Sequence, residues 1–269
     1  MDHPLIALLT DFGGRDFFVG SLKAVIAGIN PLAKTIDITH DIPSFDRQAA
    51  GFVLDACCRL FPAGTIFLAV VDPGVGTNRK IILVRTARYF FLAPDNGLLT
   101  RPLAKEKIRE IRNVSSARFF ITARRTTFEG RDKMAPVAAW LSLGLDPREV
   151  GPRLDRYAVM DVPSLAIGRR TIRGAVVYVD KFGNLITNIS GDRLAAFRKA
   201  DPGARPILSI DGQIIRNFRR SYDSPKSGVP FALVNCLGLL EVAVSQGSAA
   251  EVLGASAGSP VGLLREGCR

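Results

Sequence analysis

Two short apolar segments that each run into an aspartate-containing turn constrain the fold of this chain most strongly. Residues 5–10 lead into Asp11-Phe12-Gly13-Gly14, and residues 66–71 lead into Asp72-Pro73-Gly74. Apolar runs of this length are typical of strands buried on both faces, which occur mainly in parallel sheets covered by helices. The two turns therefore lie where open α/β sheets bind ligands, outside the carboxyl ends of the strands.

Helical periodicity between these strands completes an alternating pattern. Residues 17–29 place apolar side chains at helical spacing until Asn30-Pro31, and residues 44–60 form a second helical segment. Further strand-like runs occupy residues 35–39, 81–85 and 89–93. We therefore predict an N-terminal α/β domain over residues 1–163, with a mostly parallel sheet flanked by helices.

The second half of the chain has few helical stretches and many short β-rich runs. These runs occupy residues 172–180, 185–189, 207–210, 214–218, 231–234 and 239–244. Asp211-Gly212, between two of them, is a strong signal for a hairpin. We predict a smaller antiparallel, β-barrel-like C-terminal domain over residues 170–269, with the boundary near residues 161–170.

The net charge of +11 raises the question of a nucleic-acid partner. The basic residues are spread along the chain, and their longest clusters are pairs such as Arg169-Arg170. No helix-turn-helix, zinc-finger or RNP-type pattern accompanies them. We therefore expect a solvated basic surface and no nucleic-acid partner.

Membrane insertion, secretion and metal binding are also disfavoured. No apolar run approaches the roughly 18–20 residues of a membrane-spanning helix. The first residues lack the basic segment and the small-residue cleavage site of a secretory leader, so we expect a cytoplasmic protein. The four cysteines have no metal-binding spacing and the only histidines are His3 and His40, so we expect no metal site.

Four charged residues in the first domain, Asp11, Asp72, Arg79 and Glu129, are candidates for chemistry. Asp11 could hold the two hydroxyls of a ribose, although an aspartate in a turn is more often structural. The turn after Asp72 brings Arg79 back toward that carboxylate and would fix its orientation. The same turn lacks the Gly-Lys-Ser/Thr end of a phosphate-binding loop.

Glu129 lies in Thr127-Phe128-Glu129-Gly130-Arg131-Asp132, just before an apolar helix. Its charges could simply cap that helix. Alternatively, Glu129 faces Asp72 across a cleft, in which case one of the two carboxylates should have a raised pKa because both cannot ionise easily.

Five motifs in fixed order resemble those of a known family. They are Thr10-Asp11-Phe12-Gly13, Asp72-Pro73-Gly74-Val75-Gly76-Thr77, Pro94-Asp95-Asn96-Gly97-Leu98-Leu99, the motif around Glu129, and Phe182-Gly183-Asn184-Leu185-Ile186-Thr187-Asn188. The chain resembles the S-adenosylmethionine hydroxide adenosyltransferases, relatives of the S-adenosylmethionine-dependent fluorinase and chlorinase, over nearly its whole length.

The resemblance implies a fold, a reaction and an assembly. The fold is an N-terminal α/β domain followed by a smaller β domain. The reaction is hydrolysis of S-adenosylmethionine to adenosine and methionine, by attack of water at C5′, with no cofactor. The assembly is a homotrimer with each substrate between the N-terminal domain of one subunit and the C-terminal domain of the next.

The resemblance also assigns roles to individual residues. It makes Asp72 the catalytic aspartate in contact with substrate and Arg79 its partner, and it places Glu129 where the family commonly has histidine. Asp11 corresponds to the ribose ligand and Phe45 to an aromatic near the ribose and methionine. In the C-terminal domain it implies Asp180 for the methionine amino group, Asn184 for adenine, Tyr222 for stacking on the base, and Cys236, Glu241 and Val244 around the base.

Two other functions remain open at this point. A halogenase of the same family is one, but such enzymes have tyrosine where Asp72 stands, and a carboxylate there would repel a halide. The other is a protein that binds S-adenosylmethionine or adenosine without turnover, because Glu129 replaces histidine.

Overall fold

The computed structural model describes residues 5–124, 126–223 and 228–266, and it divides into two compact units, Met1–Asp161 and Val162–Arg269. Unit 1 contains strands β1 to β7, at Ile6–Thr10, Thr35–Thr39, Ile66–Val70, Ile81–Thr86, Phe90–Pro94, Ile108–Asn113 and Arg153–Leu154. Its α-helices are α1 (Phe18–Ile29), α2 (Arg47–Cys57), α3 (Thr100–Leu103) and α4 (Ala135–Ser142). A π-helical turn, Gly130–Met134, leads directly into α4.

The seven strands of unit 1 form one mixed sheet in the order β2-β1-β3-β5-β4-β6-β7. The first four strands in this order are parallel, whereas β4, β6 and β7 pair antiparallel. The expectation of a mostly parallel sheet is therefore correct only for one half of it. The reason is the short connection at Thr86–Tyr89, closed by a backbone hydrogen bond of 2.8 Å, because a connection this short joins only antiparallel strands.

The central strands β1 and β3 are buried at every residue, which explains their uninterrupted apolar sequence. Ile6 and Leu8 of β1 share a core with Leu22 and Ile26 of α1. Helix α2 begins at Arg47 because the Asp46 carboxylate accepts the Ala49 N–H at 2.9 Å.

Unit 2 contains strands β8 to β15, at Ala166–Ile167, Thr171–Val179, Leu185–Ser190, Pro206–Ile210, Gln213–Ile215, Pro230–Val234, Leu239–Val244 and Pro260–Arg265. Its helices are α5 (Gly191–Lys199) and α6 (Ala249–Leu253). The strands pair antiparallel in the order β12-β11-β15-β9-β10-β14-β13, with β8 beside β9. The chain after β12 then bonds to β13, through Arg219 and Asn217 to Ala232, so the sheet nearly closes on itself.

The two ends of this sheet meet because residues 217–219 hydrogen-bond to Ala232 in the strand at the opposite edge, which covers part of that edge. Asp211 and Gly212 both have positive φ and join β11 to β12, as the hairpin signal indicates. Among the described residues, no helix combines the length and apolar character needed to cross a membrane.

Two glycines in helices of unit 1 give a matched test of this packing. A β-carbon at Gly51 of α2 would lie 2.7 Å from the backbone oxygen of Leu98, whereas one at Gly28 of α1 would meet nothing within 4 Å. We expect Gly51→Ala to destabilise the protein by about 1–3 kcal/mol through overpacking. Gly28→Ala should stabilise it by about 0.5–1 kcal/mol, because alanine loses less backbone entropy. Thermal unfolding of both variants measures this, and equal shifts would contradict the described packing of α2.

Candidate active site

The first candidate site lies at the carboxyl ends of two neighbouring parallel strands. Thr10, the last residue of β1, pairs with Val70, the last residue of β3. Asp11 follows the first strand directly and Asp72 follows the second after one buried residue, Val71. The parallel register therefore brings both aspartates to one edge of the sheet, as their positions after apolar runs indicate.

A tight turn after β3 returns Arg79 to Asp72. The Asp72 Oδ1 accepts the Gly74 N–H at 3.1 Å, and Thr77 Oγ1 donates to the Gly74 carbonyl at 2.7 Å. Arg79 Nε donates to Asp72 Oδ2 at 2.6 Å, and its Nη2 contacts the same oxygen. Because the Asp72 side chain is only 4% exposed, this double contact fixes the carboxylate with little competition from water.

Glu129 shares the same guanidinium. Arg79 Nη2 donates to Glu129 Oε2, and Lys133 Nζ donates to Glu129 Oε1 at 2.6 Å. Glu129 precedes the π-helical turn, but its side chain makes no capping hydrogen bond. The interpretation as a simple helix cap is therefore wrong, and the interpretation that Glu129 approaches Asp72 is correct.

The pKa of Glu129 is not raised as expected for two facing carboxylates. Burial pushes its pKa upward, but the hydrogen bond from Lys133 and the positive charge of Arg79 outweigh burial, so the pKa lies below its ordinary value. Of the two carboxylates, Glu129 is therefore not one with a raised pKa, because cations stand on both sides of it. Glu129 is ionised at neutral pH.

Asp11 and Phe45 are joined by a hydrogen bond. The backbone N–H of Phe45 donates to Asp11 Oδ2 at 2.8 Å. Phe45 has a φ of 67°, which is unusual for an aromatic residue, and its side chain is 64% exposed. The carboxylate thus holds a strained turn that presents an aromatic ring to solvent, an arrangement characteristic of ligand contacts.

These residues line one cavity in unit 1, with a volume of about 230 Å³. Its walls include all five site residues predicted for this unit: Asp11, Phe45, Asp72, Arg79 and Glu129. Sequence reasoning missed its aromatic wall, where Phe128 packs edge to face against both Phe12 and Phe18. Within the described residues, Arg79 Nη1 is buried without a hydrogen-bond partner.

The second candidate site lies in unit 2, at the turn between β9 and β10. Asp180 Oδ1 accepts the backbone N–H groups of Phe182 and Asn184, both at 2.9 Å, and its Oδ2 accepts the Asn184 side-chain amide at 2.9 Å. Gly183 has a φ of 78°, and a β-carbon there would lie 2.1 Å from Ser248 Oγ. Only glycine fits at this position, which explains why the middle residue of the Phe-Gly-Asn motif is glycine.

Glu241 orients Tyr222 in the same unit. The buried carboxylate of Glu241 accepts the Tyr222 hydroxyl at 2.8 Å and the Asn235 amide at 2.9 Å. Desolvation and the hydrogen bond to Glu241 both raise the pKa of Tyr222 well above its ordinary value, so the phenol stays neutral. The ring is held in place by this contact while 53% of the residue remains exposed.

A cavity of about 630 Å³ lies beside these residues. Its lining contains Asp180, Asn184, Tyr222 and Val244, together with Phe182, Phe231, Ser245, Gln246 and Gly247. Glu241 and Cys236 are not part of this lining; Glu241 lies behind Tyr222, and Cys236 is exposed. The positive φ of Gln246, at 54°, had no signal in the sequence.

The described residues contain no group of three or more histidine, cysteine, aspartate or glutamate side chains that could hold a metal ion. The two cavities instead combine fixed carboxylates, one guanidinium and aromatic rings. Such groups can bind hydroxyls, an ammonium group and a purine ring, and can orient a water molecule.

Comparison with known proteins gives a consistent result across both units. Residues 6–151 match the SAM hydroxide adenosyltransferase N-terminal domain, and residues 174–262 match the SAM hydroxide adenosyltransferase C-terminal domain. A protein of Thermus thermophilus named (R)-S-adenosyl-L-methionine hydrolase is 35% identical over 96% of this chain and 99% of its own length.

A more distant relative and a solved structure are also similar to this chain over nearly its whole length. A fluorinase of an Actinoplanes species is 26% identical over 90% of this chain and 91% of its own length. The crystal structure of a conserved protein from Thermotoga maritima is similar with a TM-score of 0.88 and 36% identity, covering 97% of this chain and all of that one. The chain belongs to the SAM hydroxide adenosyltransferase family, as its five motifs suggested.

Proposed function

We propose that this protein is an enzyme that hydrolyses S-adenosyl-L-methionine to adenosine and L-methionine. The observation that carries the proposal is the buried Asp72 carboxylate, held by Arg79 at a cavity of a chain in the SAM hydroxide adenosyltransferase family. The name of the Thermus relative supports the same reaction and specifies the (R) sulfonium epimer. Cofactor-free turnover and a cytoplasmic location stay predictions from the sequence.

The chemistry suits this site because the substrate loses a positive charge as it reacts. A water oxygen forms a bond to C5′ while the C5′–S bond breaks, and the bonding pair leaves with sulfur as a neutral thioether. One water proton must depart, and we assign the Asp72 carboxylate to accept it and pass it to solvent. Fixing the carboxylate in advance removes part of the reorganisation that the same step requires in water.

Within unit 1 we assign Asp72 to orient the attacking water, Arg79 to hold Asp72, and Glu129 to hold Arg79 from its other side. Asp11 keeps Oδ1 free of the bond to Phe45 and is assigned to the ribose hydroxyls. Phe45 is assigned to the ribose and methionine side, because its exposed ring borders the same cavity.

Within unit 2 we assign the purine and the amino acid to the second cavity. Tyr222 stacks on adenine, Asn184 and Val244 bound the base, and Asp180 receives the methionine amino group. Glu241 supports this arrangement by fixing Tyr222. A contact of Cys236 with the base remains a prediction.

We also propose that the two units act as the N- and C-terminal domains, over residues 1–163 and 170–269, of a homotrimer. The charged cavity of about 230 Å³ is smaller than the roughly 300 Å³ at which small-molecule sites begin, so it needs a second surface to enclose a nucleoside. The family resemblance implies that the C-terminal domain of a neighbouring subunit supplies that surface.

The first test is the substitution Asp72→Asn, which keeps the shape of the side chain and removes its charge. We expect adenosine release from (R)-S-adenosylmethionine to fall by about 10²–10⁴-fold, because an amide cannot accept the proton. Calorimetry should still detect substrate binding. Chromatography of adenosine and methionine measures turnover, and full activity in Asp72→Asn would remove Asp72 from the mechanism.

Asp146→Asn is the matched control for that variant. Asp146 also pairs with an arginine, Arg148 at 2.5 Å, but both side chains are exposed, and activity should be unchanged.

The same assay separates the competing functions. A 5′-halo-5′-deoxyadenosine product formed only with halide would favour halogenation, and tight binding without any product would favour a binding protein.

Subunit complementation tests the location of the site. Asp72→Asn disables unit 1, and Asn184→Ala weakens the base contact of unit 2. If each site combines domains of two subunits, mixed trimers of the two variants regain about a quarter of wild-type activity, because one site in four then receives two intact domains. Activity no greater than that of the separate variants would exclude shared sites.

A further inference from the structure

Lys133 contacts the site without any role in the mechanism described so far. Its Nζ lies 2.6 Å from Glu129 Oε1, and the two side chains are only 17% and 7% exposed. The same ammonium lies 5.8 Å from the ring centroid of Phe120. A lysine is rarely this buried, because taking its charge from water is costly unless a partner compensates.

The charges of the site explain why that cost is tolerated. Asp72 and Glu129 each carry one negative charge, and both depend on the single positive charge of Arg79. Alone, these three residues leave one negative charge largely shielded from water. Lys133 brings the sum to zero, so no charge of the cluster is left buried without a partner.

We propose that Lys133 is a positioning residue, which keeps Glu129 on Arg79 Nη2 and thereby keeps the guanidinium in register with Asp72. This role rests on the proposed function, because the carboxylate that it finally orients is the one assigned to water. Lys133 touches neither Asp72 nor the reacting atoms. It acts through two intervening side chains.

The other charged groups near Glu129 cannot replace Lys133. They are Arg131 and Asp132 on the same turn, Asp72 and Arg79 on the loop after β3, and Asp11 across the cavity. Arg131 is engaged by Asp132 at 2.6 Å, and Asp132 also accepts Thr126 Oγ1 at 2.6 Å. Without Lys133, Glu129 would therefore keep only the guanidinium that it shares with Asp72.

The decisive experiment follows kcat/KM for S-adenosylmethionine hydrolysis from pH 5 to 9 in wild type and Lys133→Met. Glu129 has a lowered pKa, and loss of a cation in direct contact should raise that pKa. The acid limb of the profile then moves to higher pH, so the variant loses more activity at pH 6 than at pH 9. Lys133→Arg, which retains the charge, should restore the profile.

A double variant separates this role from simple packing. In the Glu129→Gln background there is no carboxylate for Lys133 to neutralise, so adding Lys133→Met should not move the acid limb. Arg59→Met is the matched control, because Arg59 also sits four residues after its partner, Asp55, at 2.6 Å, but outside the site. Its pH profile should equal that of wild type.

Thermal unfolding provides a readout without activity. A carboxylate whose folded pKa is lowered adds stability above its unfolded pKa, near 4.3, and that stability is lost as pH falls through the folded pKa. The difference in Tm between wild type and Lys133→Met should therefore be largest near pH 7 and shrink toward pH 4. A difference independent of pH would contradict the proposal.

The outcomes distinguish this inference from the proposed function. If wild-type protein releases no adenosine, that result contradicts the proposed function itself. If wild type is active and Lys133→Met lowers the rate equally at every pH, Lys133 is only a packing residue and the inference is overturned. If Lys133→Met does not fold, the Glu129→Gln background still decides the question: the inference expects added Lys133→Met to leave kcat/KM unchanged there, whereas a packing role lowers kcat/KM.

Discussion

One guanidinium, shared by two buried carboxylates, is the interaction on which the unit 1 site depends. Arg79 contacts Asp72 through Nε and Nη2 and Glu129 through Nη2, and all three side chains are largely withdrawn from water. Removing any one of them would leave a buried charge without its partner, which costs far more than the loss of an exposed ion pair. The cluster is therefore rigid, and rigidity is what a site that must aim a water molecule requires.

The parallel pairing of β1 with β3 brings that cluster and Asp11 to the same cavity. Because Thr10 and Val70 end their strands side by side, Asp11 and the Asp72 turn open onto one cavity. Unit 2 has a comparable arrangement. The Asp180 carboxylate accepts a hydrogen bond from the turn at Asn184, and the buried Glu241 carboxylate accepts one from Tyr222. In both units a carboxylate fixes a loop, and the loop presents an aromatic or amide group to a cavity.

Sequence reasoning failed where an outcome depended on partners distant in the chain. The sheet of unit 1 is mixed, because the chain after β3 enters β4, which pairs antiparallel with β5, and β6 then pairs antiparallel with β4. The pKa of Glu129 is lowered, although two adjacent carboxylates suggested a rise in one of them, because Arg79 and Lys133 both contact Glu129. Lys133 stands four residues after Glu129, a spacing that allows contact in a helix, but the spacing alone does not show that the pair is buried beside Asp72.

The sequence by itself determined the strands, the turns and the family. Uninterrupted apolar runs predicted the buried strands, Asp-Pro-Gly and Phe-Gly-Asn placed the turns, and five ordered motifs indicated the family, because these signals are local and depend on residue type. Only the tertiary structure decided which charges meet and in what state. Burial, the orientation of Arg79 between two carboxylates, the position of Glu241 behind Tyr222 and the neutralising contact of Lys133 arise from segments brought together by folding, and no local pattern encodes the resulting balance between desolvation and charge.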